Sequence, residues 1–310
     1  MIIDAHAYVT PGMHGQTRTG PTRSLPYGRV QHGDQVVQML PPFSADRTAL
    51  EAETMLRLMD WVGIGKTVLM QGPFYGDQNA LLHQAVKKWP DRFTAAGLVD
   101  PGDKKSHDVF RRITQDFGFR ILAFDWSEAT GHSGLHPEMQ LEGDEMTWFW
   151  EQADRLGLVL NLNLGRPNTP SYQTDTLRML VERFAQARVV IAHLAHPPLT
   201  DPGNEQTNSL WREQAALARL PNVWLDISGL PSLGLEDYPF PTALRYIREA
   251  VGLVGAEKLI WGSDVPGQLC HATFPQLFNM FALHSGLDDG QLQQIFGETA
   301  HRVYWSAGRQ

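Results

Sequence analysis

Short apolar runs alternate with longer amphipathic segments along the whole chain. The apolar runs at 2–8 (IIDAHAY), 66–71 (KTVLMQ), 94–99 (TAAGLV), 120–125 (RILAFD), 158–164 (LVLNLNL), 188–194 (RVVIAHL), 222–228 (NVWLDIS) and 258–262 (KLIWG) have the length of buried strands. Helical periodicity follows each of them in turn, at 47–62, 77–89, 106–117, 145–156, 173–186, 208–219, 242–254 and 273–285, and a last helical pair occupies about 288–305. Strands that alternate with helices predict a parallel sheet, and eight such units close a barrel. The expected fold is an α/β (β/α)8 TIM barrel with long βα loops and a C-terminal helical extension, one domain over residues 1–310.

The connections support the same topology. Helix-to-strand links are tight, as at Pro90-Asp91-Arg92, Gly118-Phe119 and Leu156-Gly157, whereas strand-to-helix links run over 9–46, 126–144, 195–207 and 229–241. Structureless loops of that length are uncommon unless they serve a function, and barrel enzymes carry their chemistry on the strand-to-helix side. The polar residues at the strand ends are therefore the candidates. They are His6 and Tyr8, with Asp4 deeper, then Gln71, Asp100, Asp125, Asn161, Asn163, His193, Asp226, Ser228 and Asp264. Period-two alternation places Asp4, His6 and Tyr8 on one face of the first strand, and Asn161 and Asn163 on one face of the fifth. A single strand-end polar group is often satisfied by a neighbouring backbone group. His6, His193 and Asp264, far apart in sequence yet in one layer of one barrel, form a set that this reading does not cover.

Composition narrows the classes. With 42% hydrophobic and 19% charged residues the chain is ordinary globular protein. The net charge of −8 and the lack of a basic block argue against a nucleic-acid surface. Cys270 is the one cysteine, so neither an intrachain disulfide nor a cysteine-rich metal cluster is available. No apolar run approaches the length of a membrane span, and no secretory leader opens the chain, so the expected location is the cytoplasm. Dinucleotide, phosphate-loop and nucleophile-elbow motifs are missing, and Cys270 and His271, being adjacent, face each other poorly as a nucleophile pair.

Five stretches resemble a known family: IIDAH at the start, VVIAHLAHP at 189–197, NVWLDISGL at 222–230, KLIWGSDVP at 258–266 and FGETAHRVYW at 296–305. Together, and in this order, they resemble the amidohydrolase superfamily. The nearest branch is the amidohydrolase-related group, which holds the aminocarboxymuconate semialdehyde decarboxylase type and lactonases. The resemblance implies a distorted (β/α)8 barrel with one divalent metal ion or, in some members, none. It makes His6 a metal ligand, His193 a ligand, acid or electrophile, and Asp264 a ligand that also activates water. Two histidines expected of a metal-binding member are replaced, by Tyr8 on the first strand and by Asn161 or Asn163 on the fifth.

Two forms of the site follow. His6, His193 and Asp264 hold one zinc or manganese ion as a reduced ligand set. Alternatively the site is metal-free: the histidines and Tyr8 polarise a carbonyl, and Asp264 is the general base. The expected activity is hydrolysis of a small cyclic or carboxylated compound, lactone-, ester- or amide-like, by water attack at the barrel mouth. Asp264, His193 and Tyr8 are the catalytic candidates, and Gln71, Asp125, Asn161, Asn163, His196 and His271 the substrate-binding ones. The runner-up is non-oxidative decarboxylation or another carbon–carbon lyase reaction in the same pocket, and a third reading is a degenerate binding barrel. Arg18, Arg23 and Arg29 in the loop 9–46 suit an anionic substrate or are solvated loop residues. A homodimer is in keeping with the resemblance, and nothing in the helix faces decides it.

Overall fold

The computed structural model describes residues 1–305. Eight parallel strands form one sheet in the order β1 (Ile2–Tyr8), β6 (Ile64–Met70), β7 (Phe93–Gly97), β8 (Ile121–Asp125), β9 (Val159–Asn163), β10 (Arg188–Ile191), β11 (Val223–Ile227) and β12 (Leu259–Trp261). Backbone bonds from Tyr8 N–H to the Val265 carbonyl (2.8 Å) and from Asp264 N–H to the His6 carbonyl (2.7 Å) join β1 to the segment after β12. The sheet so becomes the expected barrel. Helices stand between the strands, among them Ala52–Val62, Asn79–Lys88, Asp144–Arg155, Thr174–Arg183, Glu205–Ala215, Pro241–Val254 and Phe274–His284.

Two apolar layers result. Ile3, Ala5, Val68, Met70, Ile121, Val159, Val190 and Ile260 fill the barrel, and Val303 and Tyr304 of the C-terminal segment pack against them. The outward faces of the strands pack against the helices, with Trp150, Trp211 and Trp261 wholly buried there.

The excursion 9–46, expected to be a long loop, carries a four-stranded antiparallel sheet: β2 (Gln16–Thr17), β3 (Gly20–Ser24), β4 (Arg29–His32) and β5 (Gln35–Gln38). Its base is closed by two reciprocal backbone bonds of 2.9 Å between Thr10 and Leu50. An ion pair between Arg18 and Glu128 ties it to the loop after β8. This small sheet lies at the barrel mouth, where Val37 and Met39 wall the pocket.

Alternation along β1 differs from the expected pattern in a way that makes the site. Asp4 pairs with Thr67 and Ala7 with Leu69, so three steps on β1 oppose two on β6. This is a β-bulge, which shifts the phase of the side chains by one. Before it Ile3 and Ala5 face the barrel; after it Ala7 joins the outer layer, and His6 and Tyr8 line the pocket. Asp4 does not share their pocket. It is fully buried and accepts bonds from Ser263 N–H (2.8 Å), Ser263 Oγ (2.5 Å) and His6 N–H (3.2 Å). Burial pushes its carboxyl up to about 7 against the pull of those donors.

Candidate active site

A cavity of about 320 Å³ opens at the C-terminal end of the barrel. His6, Tyr8, Gln71, Asp125, Asn161, Asn163, His193 and Asp264 all line it. Sequence positions from six strands or their immediate ends thus meet in one place. Met70, Phe74, Ala123 and Phe124 supply an apolar wall.

His6 is the hub. It is 2% exposed, and its Nδ1 lies 2.5 Å from the carboxylate of the fully buried Asp226. Its Nε2 lies 2.8 Å from the Tyr8 hydroxyl and 3.9 Å from Oδ1 of Asp264. Burial would lower the imidazole, but Asp226, with Asp264 and Asp4 behind it, outweighs burial and raises it from 6.5 to about 9. Burial also works on Asp226, upward, yet His6, His193 and Ser228 hold it below the usual carboxylate range. The pair is therefore an imidazolium–carboxylate at neutral pH. As an imidazolium, His6 donates through Nδ1 to Asp226 and through Nε2 to the Tyr8 oxygen. The phenol is kept protonated by burial and by the nearby carboxylates, which push it well above 10. Its own proton is then free for a ligand in the pocket. Tyr75 stacks on the Tyr8 ring at 4.4 Å, nearly parallel, and fixes its orientation.

His193 is placed by backbone strain. The strand β10 stops at Ile191, short of the expected 194, and His193, Leu194, Ala195 and His196 follow with φ between 53° and 56°. Four consecutive non-glycine residues in the left-handed region cost on the order of 1–2 kcal/mol each. Packing holds them: Trp211 Nε1 donates to the Leu194 carbonyl (2.7 Å) and the Tyr172 hydroxyl to that of Ala195 (2.8 Å). This turn brings the His193 ring to 5.1 Å from that of His6, with its Nδ1 3.0 Å from the Ser228 hydroxyl. Gly229 lies beneath both groups. A Cβ there would sit 2.9 Å from His193 Nδ1 and 3.0 Å from Asp264 Oδ2, and its φ of 73° also requires glycine.

Asp264 follows β12 with a φ of 56°, so its position too is imposed by the surroundings. Gln268 Nε2 donates to its Oδ2 (2.9 Å). Asp125 accepts from Ser127 N–H (2.9 Å) and the Thr130 hydroxyl (2.8 Å). Asn161 donates to Asp226 (3.2 Å), and Gln71 donates to Asn79 (2.9 Å) and the Ala96 carbonyl (2.8 Å). These two amides line the pocket with part of their capacity already used.

Two sequence candidates do not reach the pocket. His271 is exposed, one turn beyond Gln268, and lines no part of it. His196 bonds Asn163 Oδ1 through Nε2 (2.8 Å) and lines a separate, smaller cavity with Arg166 and Thr207. Its imidazole is neutral, since burial first, then His193 and Arg166, hold it well below 6.5. The arginines of the excursion are also elsewhere: Arg23 and Arg29 are exposed, and Arg18 is paired with Glu128. His132 and His136 gather on Asp100, His136 at 2.8 Å and His132 at 3.5 Å, and neither lines the pocket. Asp226, Gln268, Tyr75 and Gly229 are the site residues that the strand-end reading left without a role.

The donors do not fit the metal that the resemblance allows. The ring nitrogen of His6 that faces the pocket is matched by the Tyr8 hydroxyl at 2.8 Å, and Tyr8 and Asn161 stand where further histidine ligands are expected. Among the described residues no three histidine, cysteine, aspartate or glutamate side chains are arranged to share an ion.

A closed barrel with histidines, a carboxylate and a phenol converging at the strand ends defines an enzyme of the amidohydrolase kind. The chain belongs to the amidohydrolase family, whose model matches residues 3–305. An L-fucono-1,5-lactonase from Burkholderia ambifaria is 38% identical over 215 residues, a match that covers 66% of this chain and 66% of the lactonase. An amidohydrolase from Burkholderia multivorans, solved with bound HEPES, superimposes with a TM-score of 0.72 at 16% identity over 98% of this chain and 99% of its own. In a second crystal form that protein holds zinc, with a TM-score of 0.69 at 17% identity over the same shares of the two chains. A probable 2-pyrone-4,6-dicarboxylic acid hydrolase from Acinetobacter baumannii, with citric acid bound, gives 0.68 at 18% identity over 98% and 99%. Among the described residues no helix is long and apolar enough to cross a membrane.

Proposed function

We propose that this protein hydrolyses a neutral, hydroxylated lactone, and that it polarises the lactone carbonyl with Tyr8 and the His6 imidazolium. The observation that carries this reading is the chain Asp226–His6–Tyr8, which backs one hydroxyl with charge in a pocket that Asp264 also lines. Preorganised donors aimed at a developing oxyanion supply a large part of acyl-transfer catalysis. The carbonyl oxygen accepts from the Tyr8 hydroxyl. Water adds to the carbonyl carbon while Asp264 takes its proton, and the ring carbon–oxygen bond then breaks. The proton that Asp264 takes passes by way of His193 to the departing ring oxygen, so lactone and water become one hydroxy acid and both side chains return to their starting state. The 38% identical lactonase supports the ring-opening reaction.

The pocket argues against the anionic substrate that the arginine loop suggests. No lysine or arginine is among its lining residues, whereas Asp125 and Asp264 both are. A carboxylated ligand would meet two carboxylates and no lysine or arginine, whereas hydroxyl groups would find an acceptor in Asp125 and a donor in the Asn163 amide, whose Oδ1 already accepts from Gly165 N–H and His196. Neutral aldonolactones, assayed beside pyrone dicarboxylates and aromatic carboxylic acids, are the discriminating panel. The expected result is ring opening of the aldonolactones with uptake of water. Release of carbon dioxide from the carboxylates would contradict it.

A pH dependence follows from the sign of the His6 shift. His6 must hold its second proton for Tyr8 to donate outward, and it does so up to about pH 9. The lactonase rate, corrected for spontaneous hydrolysis, is expected to hold steady on the alkaline side of neutrality and to fall as pH passes about 9. Because the folded value is raised above 6.5, the same ion pair stabilises the fold fully below that pH and stops doing so beyond about 9. Denaturant midpoints measured across this range check the second statement.

A further inference from the structure

We infer that Gln268 is a positioning residue for the base: it occupies one oxygen of Asp264 and leaves the other as the proton acceptor. This rests on the assignment of Asp264 as the base in the proposed hydrolysis. Gln268 sits four residues after Asp264 and is 3% exposed. Its amide orientation is fixed by a backbone donor, because Ser232 N–H (3.0 Å) requires the carbonyl oxygen Oε1 on that side. Nε2 must then face the other way, where it donates to Asp264 Oδ2 (2.9 Å) and to Ser232 Oγ (2.7 Å). The Ser232 hydroxyl in turn donates to the Gly229 carbonyl (2.9 Å). Every polar atom of the Gln268 side chain is therefore used, and the network ties the turn after β11 to the turn after β12.

The consequence for the carboxylate is geometric. Both of its oxygens are equivalent proton acceptors in water. Here Oδ2 receives a hydrogen bond from a buried amide that cannot move away without losing three contacts. Oδ1 is the oxygen on the side of His6 Nε2, at 3.9 Å, and both residues line the pocket. Water attacking a carbonyl held by Tyr8 thus meets one defined lone pair rather than a rotating carboxylate. The left-handed backbone of Asp264 makes the same demand, since a strained residue stays put only when its surroundings over-determine it.

The test compares wild type with Gln268→Leu, which keeps the bulk and removes the donor, and Gln268→Glu, which keeps the Ser232 contact and places a carboxyl against Asp264. With an aldonolactone as substrate, Gln268→Leu is expected to lower kcat by roughly tenfold or more with KM little changed, the loss attributable to one hydrogen bond to a charged group. In Gln268→Glu the acidic limb of the rate profile is expected to move to higher pH, because two adjacent carboxylates share a proton. A residue that only supports the fold would raise KM and lower the melting temperature in both variants without moving that limb. Such an outcome would overturn the inference. Carbon-13 NMR of the aspartate carboxyls reads the same contact without any substrate. The Asp264 signal, assigned by its loss in Asp264→Asn, should shift in Gln268→Leu. An unshifted signal removes Gln268 from the site, whereas a shifted signal in a protein that opens no lactone leaves Gln268 in place and faults the proposed reaction instead.

Discussion

Asp264→Asn is expected to bring kcat to background, a loss of roughly 10²–10⁴-fold, with far-ultraviolet circular dichroism unchanged. The reasoning is local. Asparagine keeps the size of the side chain, and its carbonyl oxygen can accept the Gln268 amide as Oδ2 does now. What it cannot do is take a proton from water. The carboxylate contacts are few, namely the Gln268 bond and the 3.9 Å approach to His6 Nε2, so its neutralisation leaves no buried charge orphaned. Circular dichroism, melting temperature and single-turnover rates separate the two effects. A variant that melts normally and turns over normally would remove Asp264 from the chemistry.

Tyr8→Phe is expected to lower kcat by roughly 10²–10³-fold, about 3 kcal/mol, with a smaller change in KM. The hydroxyl takes the hydrogen bond of the His6 Nε2 and presents its own proton to the ligand, and phenylalanine leaves the stacking on Tyr75 at 4.4 Å intact. The His6 Nε2–H then faces the ligand without an intermediary. If the distance to the carbonyl is too great for a direct bond, the charge stabilises the oxyanion only weakly. An equal loss in kcat and in kcat/KM would identify an interaction made in the transition state alone. A change confined to KM would make Tyr8 a substrate anchor and not part of the oxyanion site.

The barrel was legible because each strand and each helix carries its own period. Tight helix-to-strand links and long strand-to-helix links also mark the end of the barrel at which the cavity opens. The same logic singles out His6, Tyr8, His193 and Asp264, and the structure brings all four to one cavity. Other features depend on partners remote in sequence. The bulge between Asp4 and Ala7 is a register property of β1 against β6, and strict alternation along IIDAHAY predicts the wrong company for Asp4. Asp226 is one strand-end polar residue among several, with no role of its own, until its carboxylate is seen beside His6. Gln268 lies in an irregular turn, where no periodicity assigns an orientation. The left-handed run at 193–196 contains no glycine, the residue by which such a backbone is usually recognised. One signal was present and unused. Gly33-Asp34, between RVQH and QVVQ, is a two-residue hairpin link, and the structure pairs His32 with Gln35 across it. It would have replaced the long loop at 9–46 with the small sheet that walls the pocket.

The measurement that tests the central claim most directly is the rate of aldonolactone opening by protein stripped with a chelator, with metal content read on the same sample by elemental mass spectrometry. If the His6 imidazolium and the Tyr8 hydroxyl polarise the carbonyl, activity persists at full rate with metal far below one ion per chain, and added zinc or manganese does not raise it. Loss of activity on stripping, restored in proportion to bound zinc or manganese and abolished with the ion in Asp264→Asn, would contradict the account.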